Sequence, residues 1–428
     1  MSDFPRDLGG WLAHLEGLHP RGQAGIELGL DRARRVADVL GQRPACPVIT
    51  VGGTNGKGST CALIERILLA AGYRVGLYTS PHLTRYNERV RLQGIPVSDE
   101  ELCAAFAKVE RARGDLSLTY FEFGTLAAME AFLTAGLDVI VLEVGLGGRL
   151  DATNVYDADC AIVTTIALDH MDYLGPDRAS IGREKAGIGR CGKPLICGDA
   201  QPPASVIESC RLAGVDFLQL GVDFGYTHHE HQWQYWGKDG RKRGGLAFPA
   251  LRGTYQLANA SCALAALDAV RDRLPVTAQD IRRGLAEVEV AGRCQVLPGR
   301  PQVVLDVAHN PQAAQALAGN LGGMGFASET WAILGMMADK DIAGVIAALY
   351  GRVDHWLVCD VPGPRAAAAG QLATIIEKVD AGKTATCFIS PAEALAYAQE
   401  HAAGDARILA FGSFLTVADV MRALGRAG

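Results

Sequence analysis

The chain lacks any apolar run of roughly 18 residues, the length a helix needs to cross a bilayer. Its opening, MSDFPRDLGG, lacks the basic start and apolar core of a secretory signal. Its 11 cysteines stand singly, with no C-x-x-C pair, which is the pattern of reduced thiols and not of a disulfide framework or a zinc site. Basic charge is not in excess either: the formal net charge is −6 at pH 7. A broad nucleic-acid footprint is therefore not expected, although a local basic pocket for a small anion stays open. Low-complexity segments and short repeats are missing. The reading is of a chain with no membrane and no nucleic-acid partner, with the cytoplasm as its expected compartment.

What the chain does have is apolar material for large cores, 49% hydrophobic residues against 21% charged. At 428 residues it exceeds one ordinary domain, so two or three units are expected. Strand-like runs at 47–51, 74–79, 137–144, 160–167 and 194–197 alternate with helix-period segments, which predicts a mostly parallel sheet with helices on its faces. Residues 221–245 differ in kind, being polar and aromatic with a Lys238-Asp239-Gly240 turn, and predict a hairpin or surface excursion. The cluster His228, His229, Glu230 and His231 lies there; neighbouring strand residues point to opposite faces, so a solvated loop is favoured over a metal site. Residues 297–301, with two prolines and a glycine, read as a linker. A second series of runs follows at 303–307, 331–334, 356–359, 384–389 and 407–410. The fold class is therefore α/β, a P-loop type mostly parallel sheet domain over 1–297 followed by a smaller Rossmann-like α/β domain over 298–428.

The most informative stretch is TVGGTNGKGST at 50–60. It sets a glycine-rich turn and a lysine between the strand at 47–51 and a helix whose apolar residues Leu63, Ile64, Ile67 and Leu68 recur at helical spacing. Such a turn points successive N–H groups at phosphate oxygens, and Lys57 and the helix N-terminus add positive charge. The match to the P-loop pattern is inexact, because three residues and not four separate Gly52 from Gly56, and Gly58 intervenes between Lys57 and Ser59. Further along, the run 137–143 ends in Glu143, placed either to hold Mg²⁺ or merely to top its strand. The run 160–167 delivers Asp169 and His170 at the same edge, His170 being a candidate for a second metal or for phosphate, or a structural histidine. Arg183-Glu184-Lys185 adds charge, with a solvated helix face as its ordinary explanation. The run ending Asp306-Val307-Ala308-His309-Asn310-Pro311 presents polar groups before a helix, either to a ligand or as caps.

Taken together, GTNGKGS at 53–59, TSPHL at 79–83, LEVGLGGRLDATN at 142–154, ALDHMDYLG at 167–175, REKAGI at 183–188 and DVAHNP at 306–311 closely resemble one family. It is the bacterial dihydrofolate synthase/folylpolyglutamate synthase family of the Mur ligase superfamily. Residues 11–30 and Phe411-Gly412-Ser413 also fit, so the resemblance spans essentially the whole chain.

The resemblance implies an ATP-dependent ligase that adds L-glutamate to dihydropteroate and to the tail of reduced folates through an acyl phosphate. It implies ATP as co-substrate and Mg²⁺ as metal. Thr54, Asn55, Gly56 and Lys57 would cradle the phosphates; Ser80 and Glu143 would ligate one Mg²⁺ and His170 the second. Asn259, Arg293 and Asp306 match ATP-contacting positions, which would put the nucleotide between the domains. Lys57, His170, Arg293 and Lys185, the last in a position that can be carbamylated, are the catalytic candidates. The acceptor would contact Gly25, Ile26, Glu27, Leu28, Thr119, Tyr120, Phe121, Leu150, Asp151 and Ala152. One departure is Ala291-Gly292-Arg293-Cys294-Gln295, where many relatives have proline before the glycine and an aromatic after the arginine. A monomer is expected.

Three other readings compete. A GTPase-like switch would use the D-x-x-G match at Asp172, Tyr173, Leu174 and Gly175, but Glu377-Lys378-Val379-Asp380 begins with the wrong residue for an N-K-x-D guanine reader. A peptidoglycan-type Mur ligase would share the chemistry, against the folate-type motifs at 119–122 and 147–154. A folylpolyglutamate synthase lacking the first reaction is the third.

Overall fold

The computed structural model describes residues 4–19, 26–230, 232–253, 255–380 and 382–426. The chain divides into two compact units, the first comprising Met1–Pro81, Asn87–Ala250 and Leu257–Val288, the second His82–Tyr86, Leu251–Gln256 and Glu289–Gly428.

The first unit is built on an eight-stranded sheet: β1 (Val48–Gly52), β2 (Val75–Tyr78), β3 (Val90–Leu92), β4 (Ile95–Pro96), β5 (Val139–Glu143), β6 (Cys160–Val163), β7 (Pro194–Cys197) and β8 (Asp216–Gln219), in the order β4-β3-β2-β5-β1-β6-β7-β8. Six strands run parallel, and β3 and β4 add an antiparallel edge. Helices α1 (Leu8–Gly17), α2 (Asp31–Val39), α3 (Lys57–Ala70), α4 (Asp99–Arg113), α5 (Tyr120–Thr134), α6 (Met171–Leu174), α7 (Arg178–Ala186), α8 (Ala204–Leu212), α9 (Tyr255–Ala269) and α10 (Ala278–Glu287) accompany it. β1 and β5 are buried at every position, as expected of parallel strands covered on both faces. Several helices start at legible signals: Ser98 with Glu101, and Thr119 with Glu122, form capping boxes for α4 and α5.

The excursion at 221–245 is a three-stranded antiparallel meander, β9 (Gly225–His228), β10 (Trp233–Trp236) and β11 (Lys242–Leu246). It is more than a surface hairpin. Trp233 and Tyr235, two residues apart on β10, are buried, and Tyr235 Oη donates to Asp268 Oδ2 of α9 at 3.1 Å. His228, His229 and Glu230 are exposed, and His231 lies outside the described residues.

The second unit holds a six-stranded sheet: β12 (Gln295–Leu297), β13 (Gln302–Leu305), β14 (Thr330–Leu334), β15 (His355–Cys359), β16 (Ala385–Phe388) and β17 (Arg407–Phe411), in the order β12-β13-β17-β14-β15-β16. Only β12 is antiparallel. Helices α11 (Pro311–Gly323), α12 (Ile342–Ala348), α13 (Ala369–Val379), α14 (Pro391–His401) and α15 (Phe414–Ala423) complete it. Alternate strand residues feed two cores, Val304, Ala332, Leu334 and Leu409 into one and Val303, Leu305, Ile333 and Ile408 into the other. The segment read as a linker is the turn of the β12–β13 hairpin, in which Val296 faces Val304. Proline and glycine mark a tight turn as readily as a domain joint, and the expected break at 297/298 falls inside this hairpin.

Candidate active site

The loop leaving β1 enters α3 directly at Lys57. Gly56 adopts φ +90°, and a Cβ there would stand 2.4 Å from Asn259 Oδ1. Gly53 adopts φ +140°, and its Cβ would stand 1.9 Å from Thr164 Oγ1. Glycine alone meets both the backbone twist and the close approach. The loop is pinned by the chain that leaves β6: Thr54 N–H donates to the Thr165 carbonyl at 2.8 Å and Asn55 N–H to Thr165 Oγ1 at 3.0 Å. Thr164 Oγ1 donates to the Asn55 carbonyl at 2.7 Å. These bonds explain why β6 stops at Val163 although the strand-like run continues to 167. Lys57 Nζ folds back over the turn, 3.1 Å from the Gly53 carbonyl and 3.2 Å from that of Thr54. A fixed ammonium at a helix N-terminus is a receptor for polyphosphate.

Strands β2 and β5 are hydrogen-bonded neighbours, so the residues after their ends meet. Ser80 N–H donates to Glu143 Oε2 at 3.1 Å, and Glu143 is 3% exposed. The buried carboxylate is a hard oxygen donor, and Ser80, bonded to it through its backbone, carries a hydroxyl. This pair fits Mg²⁺, which takes one or two carboxylates and fills its other positions with water and phosphate. His170 sits in the left-handed region at φ +51°, and its ring lies 3.8 Å from Asp169 Oδ2. Among the described residues no group of three or more His, Cys, Asp or Glu forms a metal cluster, so a cation here would complete its shell with hydroxyl, water and phosphate oxygens.

Lys185 is not on a solvated face. It is 4% exposed, whereas Arg183 beside it is exposed. Burial, and then the charge of Lys57, bring its ammonium down to about 7, with Asp169 and Asp151 pulling the other way. The glycine loop after β5 presses on this helix: a Cβ on Gly148 would stand 2.8 Å from the Glu184 carbonyl and 3.1 Å from Lys185 Cα.

The residues expected around the acceptor converge. Gly29 N–H donates to the Leu150 carbonyl at 3.2 Å, joining the segment of Ile26, Glu27 and Leu28 to that of Leu150, Asp151 and Ala152. Thr119 caps α5, and the Phe121 ring covers Gly145, where a Cβ would stand 2.6 Å from Phe121 Cζ. The Arg89 guanidinium lies 5.6 Å from the Tyr120 ring centroid. Asp151 is buried and turned inward, accepting from Leu146 N–H at 2.9 Å and from Thr153 Oγ1 at 2.7 Å; burial raises its carboxyl. Gly25 lies outside the described residues.

In the second unit, Asp306 accepts from Cys294 N–H at 2.8 Å and Ala308 N–H at 2.7 Å. Burial raises its carboxyl, and the charge of Arg293 opposes this. It is not a helix cap; Asn310 is, accepting from Ala313 N–H at 3.0 Å. The Arg293 guanidinium lies 5.4 Å from the Phe414 ring centroid. Cys294, part of the departure from the family pattern, is buried in the core at φ +46°. Sequence reasoning missed Thr164 and Thr165, whose only trace is a pair of hydroxyls directly after an apolar strand.

Fold and site define an ATP-dependent ligase of the Mur type. The Mur ligase middle domain matches residues 51–267 and the Mur ligase glutamate ligase domain matches residues 292–414. The chain is 47% identical over 418 residues to the dihydrofolate synthase/folylpolyglutamate synthase of Escherichia coli (strain K12), covering 97% of this chain and 95% of that protein. It is similar to the structure of E. coli FolC in complex with DHPP and ADP, with a TM-score of 0.93, 45% identity and 99% of each chain covered. A bifunctional folylpolyglutamate synthase/dihydrofolate synthase with Mn, AMPPNP and L-glutamate bound matches with a TM-score of 0.90 and 44% identity, over 99% of this chain and 100% of that one. The chain belongs to the dihydrofolate synthase/folylpolyglutamate synthase family.

Because Lys57 contacts its own loop and not the core, Lys57→Ala is expected to fold normally and lose at least about a hundredfold in kcat/KM for ATP. Steady-state kinetics beside a thermal melt check this; near-parental turnover in a folded variant would contradict it.

Proposed function

We propose that this protein joins L-glutamate to dihydropteroate, giving dihydrofolate, and to the glutamate tail of reduced folates, each through an acyl phosphate. The observation that carries the reading is the meeting, at one sheet edge, of the pinned phosphate loop, the Ser80–Glu143 pair and the acceptor patch. An acceptor carboxylate is a poor electrophile. Its oxygen takes the γ-phosphoryl group while ADP leaves; the glutamate amine then attacks the acyl carbon, and phosphate departs as the amide forms and the nitrogen loses its proton. Such chemistry needs alignment and charge neutralisation more than a protein nucleophile.

In this reading Thr54, Asn55, Gly56 and Lys57 hold the triphosphate, with Asn259 packed on the loop at Gly56. Ser80 and Glu143 would hold one Mg²⁺ and His170 the second; the metal supplies charge neutralisation at the transferred phosphoryl group. Arg293 and Asp306 are assigned nucleotide contacts on the family pattern. The D-x-x-G match of a GTPase-like switch falls on the short helix α6, directly after His170, and so is absorbed by the ligase motif. The protein is proposed to act in the cytoplasm, as a monomer. The test is to incubate it with ATP, Mg²⁺ and glutamate, offering dihydropteroate and reduced folylmonoglutamate separately. A mass gain of one glutamyl residue on each acceptor is expected; gain on the folate alone would leave a folylpolyglutamate synthase, and gain on neither would overturn the reading.

Lys185 is proposed to carry a carbamate. A buried ammonium would be repelled by nearby cations, whereas the carbamate is an anion that can position Lys57 and His170. Carbamate formation consumes the neutral amine. With the folded-state value lowered to about 7, the neutral fraction grows as pH rises through 7, where an ordinary lysine stays almost wholly charged. After stripping at low pH, recovery of activity is expected to depend on bicarbonate and, at a fixed concentration of dissolved CO₂, to quicken as pH rises from 6 and to level off above about 7. Lys185→Ala should be slow and partly rescued by a small carboxylate. Recovery that ignores bicarbonate, together with parental rates for Lys185→Ala, would remove the carbamate and leave the ligase standing.

A further inference from the structure

Three carboxylates of the acceptor patch, Asp151, Glu122 and Glu27, are already engaged within the protein. Asp151 is tied to Leu146 and Thr153. Glu122 Oε2 accepts from Thr119 N–H at 2.8 Å, and both its oxygens accept from Arg32 Nε at 3.2 Å. Glu27 Oε1 is paired with Arg32 Nη1, its Oε2 lies 3.0 Å from His19 Nε2, and its backbone carbonyl accepts from Arg32 Nη2 at 3.0 Å. The Glu122 side chain is 4% exposed and that of Glu27 43%, so a single guanidinium links a buried acid on α5 to an outer acid on the segment at 26–28. The bond to His19 and then the charge of Arg32 hold the Glu27 carboxyl below its ordinary range. A planar guanidinium can donate on several edges at once, which an ammonium cannot reproduce.

We infer that Arg32 is a positioning residue for acceptor recognition. It fixes Glu27 and its segment against the first turn of α5, where Thr119, Tyr120 and Phe121 stand, and Glu27 acts as a link in this chain and not as a direct ligand of the acceptor. The inference rests on the acceptor reading proposed above. Without Arg32, Glu122 keeps its bond to Thr119 but loses its counter-charge, and Glu27 keeps only His19. The acceptor would then have to order the patch as it binds, and that cost falls on acceptor affinity. The phosphate loop is pinned independently by Thr164 and Thr165, so ATP binding is spared.

The experiment uses the full-length protein and three variants, Arg32→Ala, Arg32→Lys and Glu27→Gln, with KM for dihydropteroate, KM for ATP, kcat and a thermal melt for each. Arg32→Ala is expected to raise the dihydropteroate KM by about tenfold or more, with the ATP KM and kcat within about twofold. Arg32→Lys should fall between it and the parent, and Glu27→Gln should show a smaller rise of the same selectivity. Should Arg32→Ala fail to fold, the other two decide. Folded variants whose dihydropteroate KM stays within twofold of the parent would overturn the inference, as would an ATP KM that rises in step, which marks general loosening. A parent that ligates no pteroate would overturn the acceptor reading and this inference with it; parental turnover with indifferent variants overturns the inference alone.

Discussion

The turn that carries the chain from β1 to Lys57 and α3 can form only because glycine permits contacts too close for any side chain. Gly53 and Gly56 bring the loop against Thr164 and Asn259 at distances a Cβ would violate. The rest of the first unit is arranged around this packing. β1 sits between β5 and β6, so the loop rises from the middle of the sheet with an acid-bearing strand on one side and the threonine pair on the other. This is the switch-point geometry of open parallel sheets, in which chemistry collects at the strands' carboxyl ends.

Burial of charge is the second theme of this edge. Glu143 at 3% exposure and Lys185 at 4% are expensive to keep ionised. Glu143 is partly compensated by the Ser80 N–H, while Lys185 responds by losing its hold on a proton. Buried charged groups of this kind add little to stability and mark candidate functional sites, which is the basis of the roles proposed for them above. The contrast with Arg183, two positions earlier and exposed, shows that helix phase selects which lysine or arginine of a charged run is turned inward.

Much of this was legible in the residues. The strands at 194–197 and 407–410 and the presence of a helix after the glycine turn follow from apolar period and glycine placement, whereas the start of α3 at Lys57 does not, and the motif order identified the family. What was not legible depended on tertiary contact. The run at 160–167 reads as one strand, yet after Val163 it leaves the sheet, and Thr164, Thr165 and Ala167 bond the phosphate loop. The turn at 297–301 reads as a linker because proline and glycine report local geometry and say nothing of what pairs on either side. Trp233 and Tyr235 alternate as a buried face should, but in a polar surround, and Asp268 of α9, which accepts from the Tyr235 hydroxyl, lies 33 residues away in sequence. Glu27 illustrates the limit at the site: its type and motif position suggest a ligand, and its partners Arg32 and His19 are visible only in the fold.

The central claim is that the acceptor carboxylate is activated by taking a phosphoryl group before the amide forms. Dihydropteroate labelled with ¹⁸O in its carboxylate tests this directly, with the released phosphate read by mass during turnover with ATP and glutamate. The account predicts one labelled oxygen carried into phosphate for every amide made, because the oxygen that accepts the phosphoryl group leaves with it. Amide formation with unlabelled phosphate would contradict it.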